Sequence, residues 1–445
     1  MAKYQAPAGA IIKGRTVTLE PEPSQAAQWR RDDGARRFAC NWAVAQIKAS
    51  FDAGEATGEY DNTVWSAWAL QKRWNQVKEQ ATEITDPETG EVTGSWWRAC
   101  SKCAYENGVA DAVTALKNWH ASKTGKRQGP KVGFPRFRRK GKDPVRCTYG
   151  AGSVTVRVEG PRTVFLPGVG RVRTAENIRD LWRHVRRGTG RVLAATIREK
   201  SGRWSVSLRL EIAAPRRPEL RADTVGVDVG IGNNLLIVMR PDGTVAEKVP
   251  NPRALRTSLA VLRHAHRALS RKQEGSSRWR KADRKLGRVY AHTANIRSDA
   301  IHKATTRLAK THGTVVIEDL CITGHMRGLR HHRKAWKDAA AGEMRRQFTY
   351  KAEWYGCELQ LADRWYPSSK TCSAVGCGHV NTALTMKDRT WTCPACGTEH
   401  DRDENAGTNL ANLPASQAEA QSDGKTGIAR HDVTKRVNHL RKVAA

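Results

Sequence analysis

The chain has 445 residues, and its 77 Lys and Arg against 44 Asp and Glu give a formal charge of +33. A cation of that size repels itself unless a polyanion shares its surroundings, so nucleic acid is the expected partner and a small-molecule substrate is not. No run of 18 apolar residues is present, which excludes a membrane-spanning helix, and MAKYQAPAGAIIKG lacks the apolar segment of a secretion signal.

A cytoplasmic protein is therefore expected, whose ten cysteines, where clustered, point to metal and not to disulfides.

In chain order, residues 10–20 (AIIKGRTVTLE) read as a strand closed by the turn PEPS. Ser24 is placed to cap the helix that follows, in which Phe38, Trp42 and Ala45 recur at helical spacing. Two further helical stretches, NTVWSAWALQKRWNQVKEQ and SWWRACSKCAYENGVADAVTALKNWHAS, are separated by the turn DPETGEV. Cys100 and Cys103 have metal-type spacing but no second pair, so they read as ordinary core or surface residues. At Gly125 the character changes to a Gly/Pro-broken basic loop, GKRQGPKVGFPRFRRKGKDP. Short alternating segments follow, and residues 125–215 read as a small β-domain completed by the first strand.

From residue 222 the pattern is α/β. TVGVDVGIGNNLLIVMRPDG reads as two strands joined by a tight turn. A long basic helical region runs from about Arg253 to His312, broken near EGSS, with Leu286, Val289, Thr293 and Ile296 on one face. GTVVIEDL is a buried strand, and a helix is expected around 335–356. The segment after Pro414 is polar and is expected to be a poorly ordered tail.

Two strand-borne carboxylates stand out. Alternation sets Val225, Val227 and Val229 on one face of a strand and Gly226, Asp228 and Gly230 on the other. A carboxylate there is costly without a positive partner, and the glycines are expected to leave open space for a metal ion and a phosphate. In TVVIEDL, Glu318 falls at the end of a strand, where α/β sheets place their sites, and Asp319 points to the other face. Cys372 and Cys377 (CSAVGC), followed by Cys393 and Cys396 (CPAC), suit one tetrahedral structural zinc ion. Three separated carboxylates, these two on strands and one at the helix start in DRDENAGTNL, can converge on a pair of Mg²⁺ ions for phosphodiester hydrolysis.

GVDVGIGN, VVIEDL, SSKTC with its downstream CPAC, and DRDENAGTNL, in this order, resemble the RuvC-type nuclease of the TnpB family and of the compact type V CRISPR effectors. The resemblance covers roughly residues 10–412 and includes GARRFACNWAVAQ, GPKVGFPRFRRKGK, SRKQEGSSRWRKA and RSDAIHKAT. It implies a multidomain α+β protein of the prokaryotic cytosol. A helical recognition lobe (22–121), a small β-barrel wedge domain (1–21 and 122–220) and an RNase H-like (RuvC) nuclease domain (221–366 and 401–413) are implied. A zinc-ribbon insert (367–400) and the tail (414–445) complete it. The resemblance assigns the catalytic, magnesium-binding carboxylates to Asp228, Glu318 and Asp403, with Asn405 and Ala406 completing the third motif. Asp401 becomes a neighbour or cap, and Glu404 is expected to face solvent.

The implied activity is RNA-guided endonucleolytic cleavage of double-stranded DNA, with guide RNA and target DNA as partners. A guided protein that binds without cutting, and a guide-independent resolvase or transposase, are the other readings. Expected nucleic-acid contacts are Arg136, Phe137, Arg138, Arg139 and Lys140 in the basic loop. Arg271, Lys272, Arg278, Arg280, Lys281, Arg284 and Lys285 in the basic helical region are further candidates.

Overall fold

The computed structural model describes residues 6–7, 9–127, 129–141, 143–150, 156–215, 217–219, 221–320, 333–385 and 387–413, and the backbone of 418–420. Apart from those last three residues, the expected tail lies outside the described residues. The chain divides into two compact units, one of residues 1–214 with 268–288, the other of 215–267 with 289–445. No helix among the described residues is long and apolar enough to cross a membrane.

In the first unit β1 (Ala10–Glu20) leads into the long helix α1 (Pro23–Thr57). The cap is Glu22 and not Ser24: Glu22 and Gln25 form a reciprocal capping box, and Pro23 takes the first turn, where its missing N–H costs nothing. Gly58, at φ 80°, ends the helix in the left-handed conformation that glycine adopts most easily. Next come α2 (Ala67–Val77), the hairpin of β2 (Glu83–Thr85) and β3 (Val92–Ser95), and α3 (Lys102–Lys123). The buried face of α1 is Ala35, Ala39, Ala43, Val44 and Ile47, while Phe38 and Ala45 are exposed. The alanine face lets α3 come close: a Cβ on Gly108 would lie 2.3 Å from the Arg36 carbonyl oxygen.

The strands that follow are β4 (Arg146–Gly150), β5 (Arg157–Gly160), β6 (Thr163–Leu166) and β7 (Gly170–Thr174). After α4 (Arg179–Arg186) come the long strands β8 (Gly190–Lys200) and β9 (Arg203–Ala213). They form one sheet in the order β4-β8-β9-β1-β7-β6-β5. The expected barrel is not formed: among the described residues β4 and β5 end the sheet and do not pair with each other. The inward residues of β9, Val206, Leu208, Leu210 and Ile212, pack with Ala26 and Trp29 of α1, Cys103 of α3, and Ile178 and Leu181 around the start of α4. Helices thus occupy the place where a barrel's opposite wall would stand. Each aliphatic side chain buried this way contributes about 1.5–3 kcal/mol.

The second unit is built on β10 (Arg221–Val229), β11 (Asn234–Met239), β12 (Val245–Pro250), β13 (His312–Glu318) and β14 (Glu358–Ala362). Its helices are α5 (Ala254–Ser270) and α6 (Ser277–Thr311), whose connecting turn belongs to the first unit, then α7 (Arg333–Ala339) and α8 (Ala341–Tyr355). The small hairpin β15 (Thr390–Thr392) and β16 (Glu399–Asp401) leads into α9 (Arg402–Ala411), and β17 (Ala418–Ala420) edges the sheet. Sheet order is β12-β11-β10-β13-β14-β17, with β10, β13 and β14 parallel, β11 antiparallel to β10, and β12 antiparallel to β11. One face packs Val225, Val227, Val315 and Ile317 against Ile301, Ala304 and Leu308 of α6 and Met344 and Phe348 of α8. Strands covered on both faces explain the near-continuous apolar runs TVGV and TVVI.

The other face is covered by α9. A Cβ on Gly226 would fall 2.0 Å from the Gly407 carbonyl oxygen and 2.4 Å from the Ala411 amide nitrogen. The space beside Asp228 that the sequence reading reserved for a metal ion and a phosphate is therefore filled, at Gly226, by helix backbone. Gly230 likewise serves the turn, since a Cβ there would lie 2.4 Å from the Asn234 carbonyl oxygen.

Candidate active site and cysteine cluster

Val227 of β10 lies opposite Ile317 of β13 in parallel register, so Asp228 and Glu318 follow side by side at the ends of neighbouring strands. The first turn of α9, which crosses β10 at backbone contact, carries Asp403. All three side chains are half-buried. Burial first, then the negative charges of Glu318 and Asp403, push the Asp228 carboxyl well above the ordinary carboxylate range, with Arg402 opposing. Burial also raises Asp403, although Arg389 stands 3.5 Å from it. Three acids that all offer oxygen donors, two of which disfavour the ionisation of Asp228, suit a hard divalent cation such as magnesium.

The surrounding groups fix these acids. The Ser368 hydroxyl donates to Glu318 Oε1 at 2.5 Å. Asp401 is the N-cap of α9, accepting from the amides of Asp403 (2.9 Å) and Glu404 (3.0 Å), so its carboxylate serves the helix start. Glu404 does not simply face solvent: Lys248 of β12 holds it at 2.5 Å. On the far side of β13, Asp319 pairs with Arg345 and with Arg364, the latter at 2.5 Å.

Asn405 and Asn409, one helical turn apart, both reach back to the segment that opens the cysteine insert. Each donates through its Nδ2 to the Thr371 carbonyl at 2.7 Å, and Asn409 also donates to the Ser368 carbonyl at 2.7 Å. The Ser373 amide donates to Asn405 Oδ1 at 3.0 Å. Ser368 and Asn409 are site residues that residue-type reasoning missed. Their signal lay in the quoted stretches SSKTC and DRDENAGTNL, where polar residues recur at one-turn spacing on a buried helix face.

The thiols of Cys372, Cys377, Cys393 and Cys396 all lie within 4.8 Å of one another. Cys372 and Cys396 are 3.6 Å apart and Cys377 and Cys393 3.7 Å. A tetrahedral zinc with bonds of about 2.3 Å separates its sulfurs by about 3.8 Å, so the cluster fits that ion despite the wider first pair. Burial pushes the Cys372 thiol up to about 12, and hydrogen bonding with the Thr398 hydroxyl and amide draws Cys396 down to about 6. His400, buried in β16 beside Trp391, brings Nε2 to 3.1 Å from Cys372 Sγ. Alternation between exposed Glu399 and Asp401 was the sign that this histidine turns inward.

The basic candidates belong to the first unit. Arg136, Phe137, Arg139 and Lys140 are exposed, and Lys48 lies 4.8 Å over the Phe137 ring. Arg138 differs from its neighbours: its amide and carbonyl are bonded to the Asn41 side chain, and its guanidinium reaches Asp111 at 3.2 Å. Arg271, Arg278, Arg280, Lys281, Arg284 and Lys285 are exposed, whereas Lys272 is half-buried and donates to the Ala268 carbonyl. The carboxylates and cysteines come together in the second unit, and these cations do not belong to it.

Residues 207–329 match the OrfB_IS605 family, described as a probable transposase, and residues 342–410 match the TNB domain of Cas12f1-like proteins. A Mycobacterium tuberculosis H37Rv protein named as a candidate RNA-guided DNA endonuclease is 42% identical over 418 residues, covering 92% of this chain and 88% of that one. A Streptomyces pristinaespiralis protein named in the same way is 32% identical over 419 residues, covering 92% and 93%. InsQ of Escherichia coli K12, also so named, is 29% identical and covers 88% and 90%. Among solved structures, a chain of a Cas12f1–sgRNA–target DNA complex aligns at TM-score 0.45 and 14% identity, over 91% of this chain and 99% of that chain.

Proposed function

The chain belongs to the TnpB family of RNA-guided DNA endonucleases, and we propose on that premise that Asp228, Glu318 and Asp403 form its single nuclease site. The observation that carries this reading is the meeting of three carboxylates from β10, β13 and α9 on an RNase H-like strand order. Guide RNA and target double-stranded DNA are the partners. Base pairing reads the target, while the chain's large positive charge holds the heteroduplex by its backbone.

Two Mg²⁺ ions held by the three carboxylates supply, when bound, Lewis-acid stabilisation of charge on the attacked phosphate and the leaving 3′ oxygen. The chain's own contribution is positioning. Ser368 fixes one oxygen of Glu318 so that the other can face the site. Asp401 holds the helix start, and Lys248 keeps Glu404 turned towards β12. Arg389 and Arg402 set positive charge beside Asp403, where a substrate phosphate gains from it. One structural zinc on the four cysteines organises the insert of residues 367–400.

The test is cleavage of a plasmid matched to the RNA that co-purifies with the protein, with Mg²⁺, beside Asp228→Ala. Cutting by the wild type and none by the variant is expected. Equal inertness of the two would favour a guided binder, and cutting without any RNA would overturn the guided reading.

A further inference from the structure

Between β14 and the cysteine insert the chain makes a tight turn, Asp363 to Ser368, in which nearly every side chain has an internal task. Asp363 Oδ1 accepts from the Trp365 amide at 2.8 Å, and its carbonyl from the Tyr366 amide at 3.0 Å. Arg364 pairs with Asp319 at 2.5 Å. Tyr366 packs on Val316, Ala362, Leu410 and Leu413, and its hydroxyl reaches the Asn409 carbonyl at 3.4 Å. Ser368 bonds Glu318 at 2.5 Å. Trp365, the large apolar side chain of the turn that stays in water, is 74% exposed, on a backbone that has little freedom to withdraw it.

Its place relative to the carboxylates follows from register. Ala362 pairs with Glu318, and Trp365 comes three residues later, so its Cα lies within about 11 Å of the Ala362 Cα. Ser368, three residues further on, is back at Glu318. A large flat ring is thus held in water on a turn whose two ends both meet Glu318. Removing a tryptophan face from water is strongly favourable, and a nucleobase is a face of matching size that arrives with the substrate.

We propose that Trp365 is a stacking platform for a base of the single strand entering the nuclease site, close to the scissile phosphate. The proposal rests on the reading of Asp228, Glu318 and Asp403 as that site. Trp365 is a positioning residue: the stacked base fixes the strand's path so that the phosphate meets the carboxylates. Stacking does not depend on base identity, which suits an enzyme whose sequence reading is done by its guide.

The test uses the RNA-loaded protein with Asp228→Ala as background, so that no strand is cut, and 2-aminopurine walked through both strands of a matched target. Fluorescence quenched at one or two adjacent positions, lost in Trp365→Ala and retained in Trp365→Phe, is expected. In the cutting-competent protein, Trp365→Ala should lower the single-turnover rate about 5- to 150-fold and Trp365→Phe only a few-fold. The proposal is overturned if no position responds to Trp365→Ala, or if Phe behaves like Ala. It is equally overturned if Trp365→Ala lowers the melting temperature or zinc content, since the ring would then be structural. Failure of the wild type to cut, or cutting by Asp228→Ala, would overturn the site assignment instead, and the quench reports independently of both.

Discussion

Gly226→Ala is the sharpest test of how the site is assembled. The added methyl would sit 2.0 Å from the Gly407 carbonyl oxygen, 2.4 Å from the Ala411 amide nitrogen and 2.8 Å from Leu410 Cβ. Two of these three are backbone atoms and cannot rotate away, so α9 must back off β10 by roughly 1 Å or more to reach van der Waals distance. Overpacking of this kind costs about 1–3 kcal/mol, and the backbone clash puts Gly226→Ala at the upper end, near 3 kcal/mol. For a unit of this size that lowers the melting temperature by about 6–12 °C. Asp403 rides on α9, and a misplacement of about 1 Å in a catalytic group lowers the rate about 100-fold. Calorimetry and plasmid cleavage read the two effects, with bound zinc expected to stay at one per chain. Gly407→Ala should be milder, because the first atom its methyl meets is Met239 Cγ at 2.5 Å, on a side chain that adapts. A Gly226→Ala protein that melts and cuts like the wild type would refute the close crossing as the device that delivers Asp403.

Asp403→Ala should abolish cleavage, while Asp401→Ala loses a cap, costs about 1 kcal/mol and keeps cutting within a few-fold; the reverse outcome would exchange their roles. Cys393→Ser, at a buried member of the cluster, should take zinc from one per chain to near zero by metal analysis and abolish cleavage while circular dichroism keeps its strand signal. In the first unit, Arg36 lies buried between Asp33 (2.8 Å) and Asp111 (2.6 Å). Arg36→Met removes the buried cation between those carboxylates, which keep Arg37, Arg138 and Arg146, and should destabilise the unit by about 1.5–3 kcal/mol in urea unfolding.

What could be read from the sequence was what depends on local order. Alternation of period two in TVGVDV and the β-branched run TVVIE put Asp228 and Glu318 on neighbouring strands, and paired cysteine spacing announced the cluster. The start of α9 was legible because Asp401 precedes a helical pattern at cap distance. What was not legible depends on which distant segment arrives. Gly226 looked like room for a ligand because only the folded chain brings Gly407 onto it. Glu404 looked solvated because its partner, Lys248, lies far away in sequence. The barrel failed to close because α1, α3 and α4 fill its would-be interior, and no strand pattern carries that information. Arg138 could not be told from Arg136 or Arg139 without Asn41 and Asp111 in place.

The third carboxylate has a consequence in time. Asp403 sits downstream of the cysteine insert, so a ribosome finishes β10 and β13 on the order of ten seconds before it supplies α9. Until then Gly226 lies bare, and Asp228 and Glu318 lack their companion. A nascent chain therefore completes its basic loop and basic helix before the third carboxylate arrives. A message cut short ahead of Arg402, or a protease nick there, would leave a protein that retains the basic loop and helix yet cannot cut. Such a fragment would also lack the helix that covers Gly226.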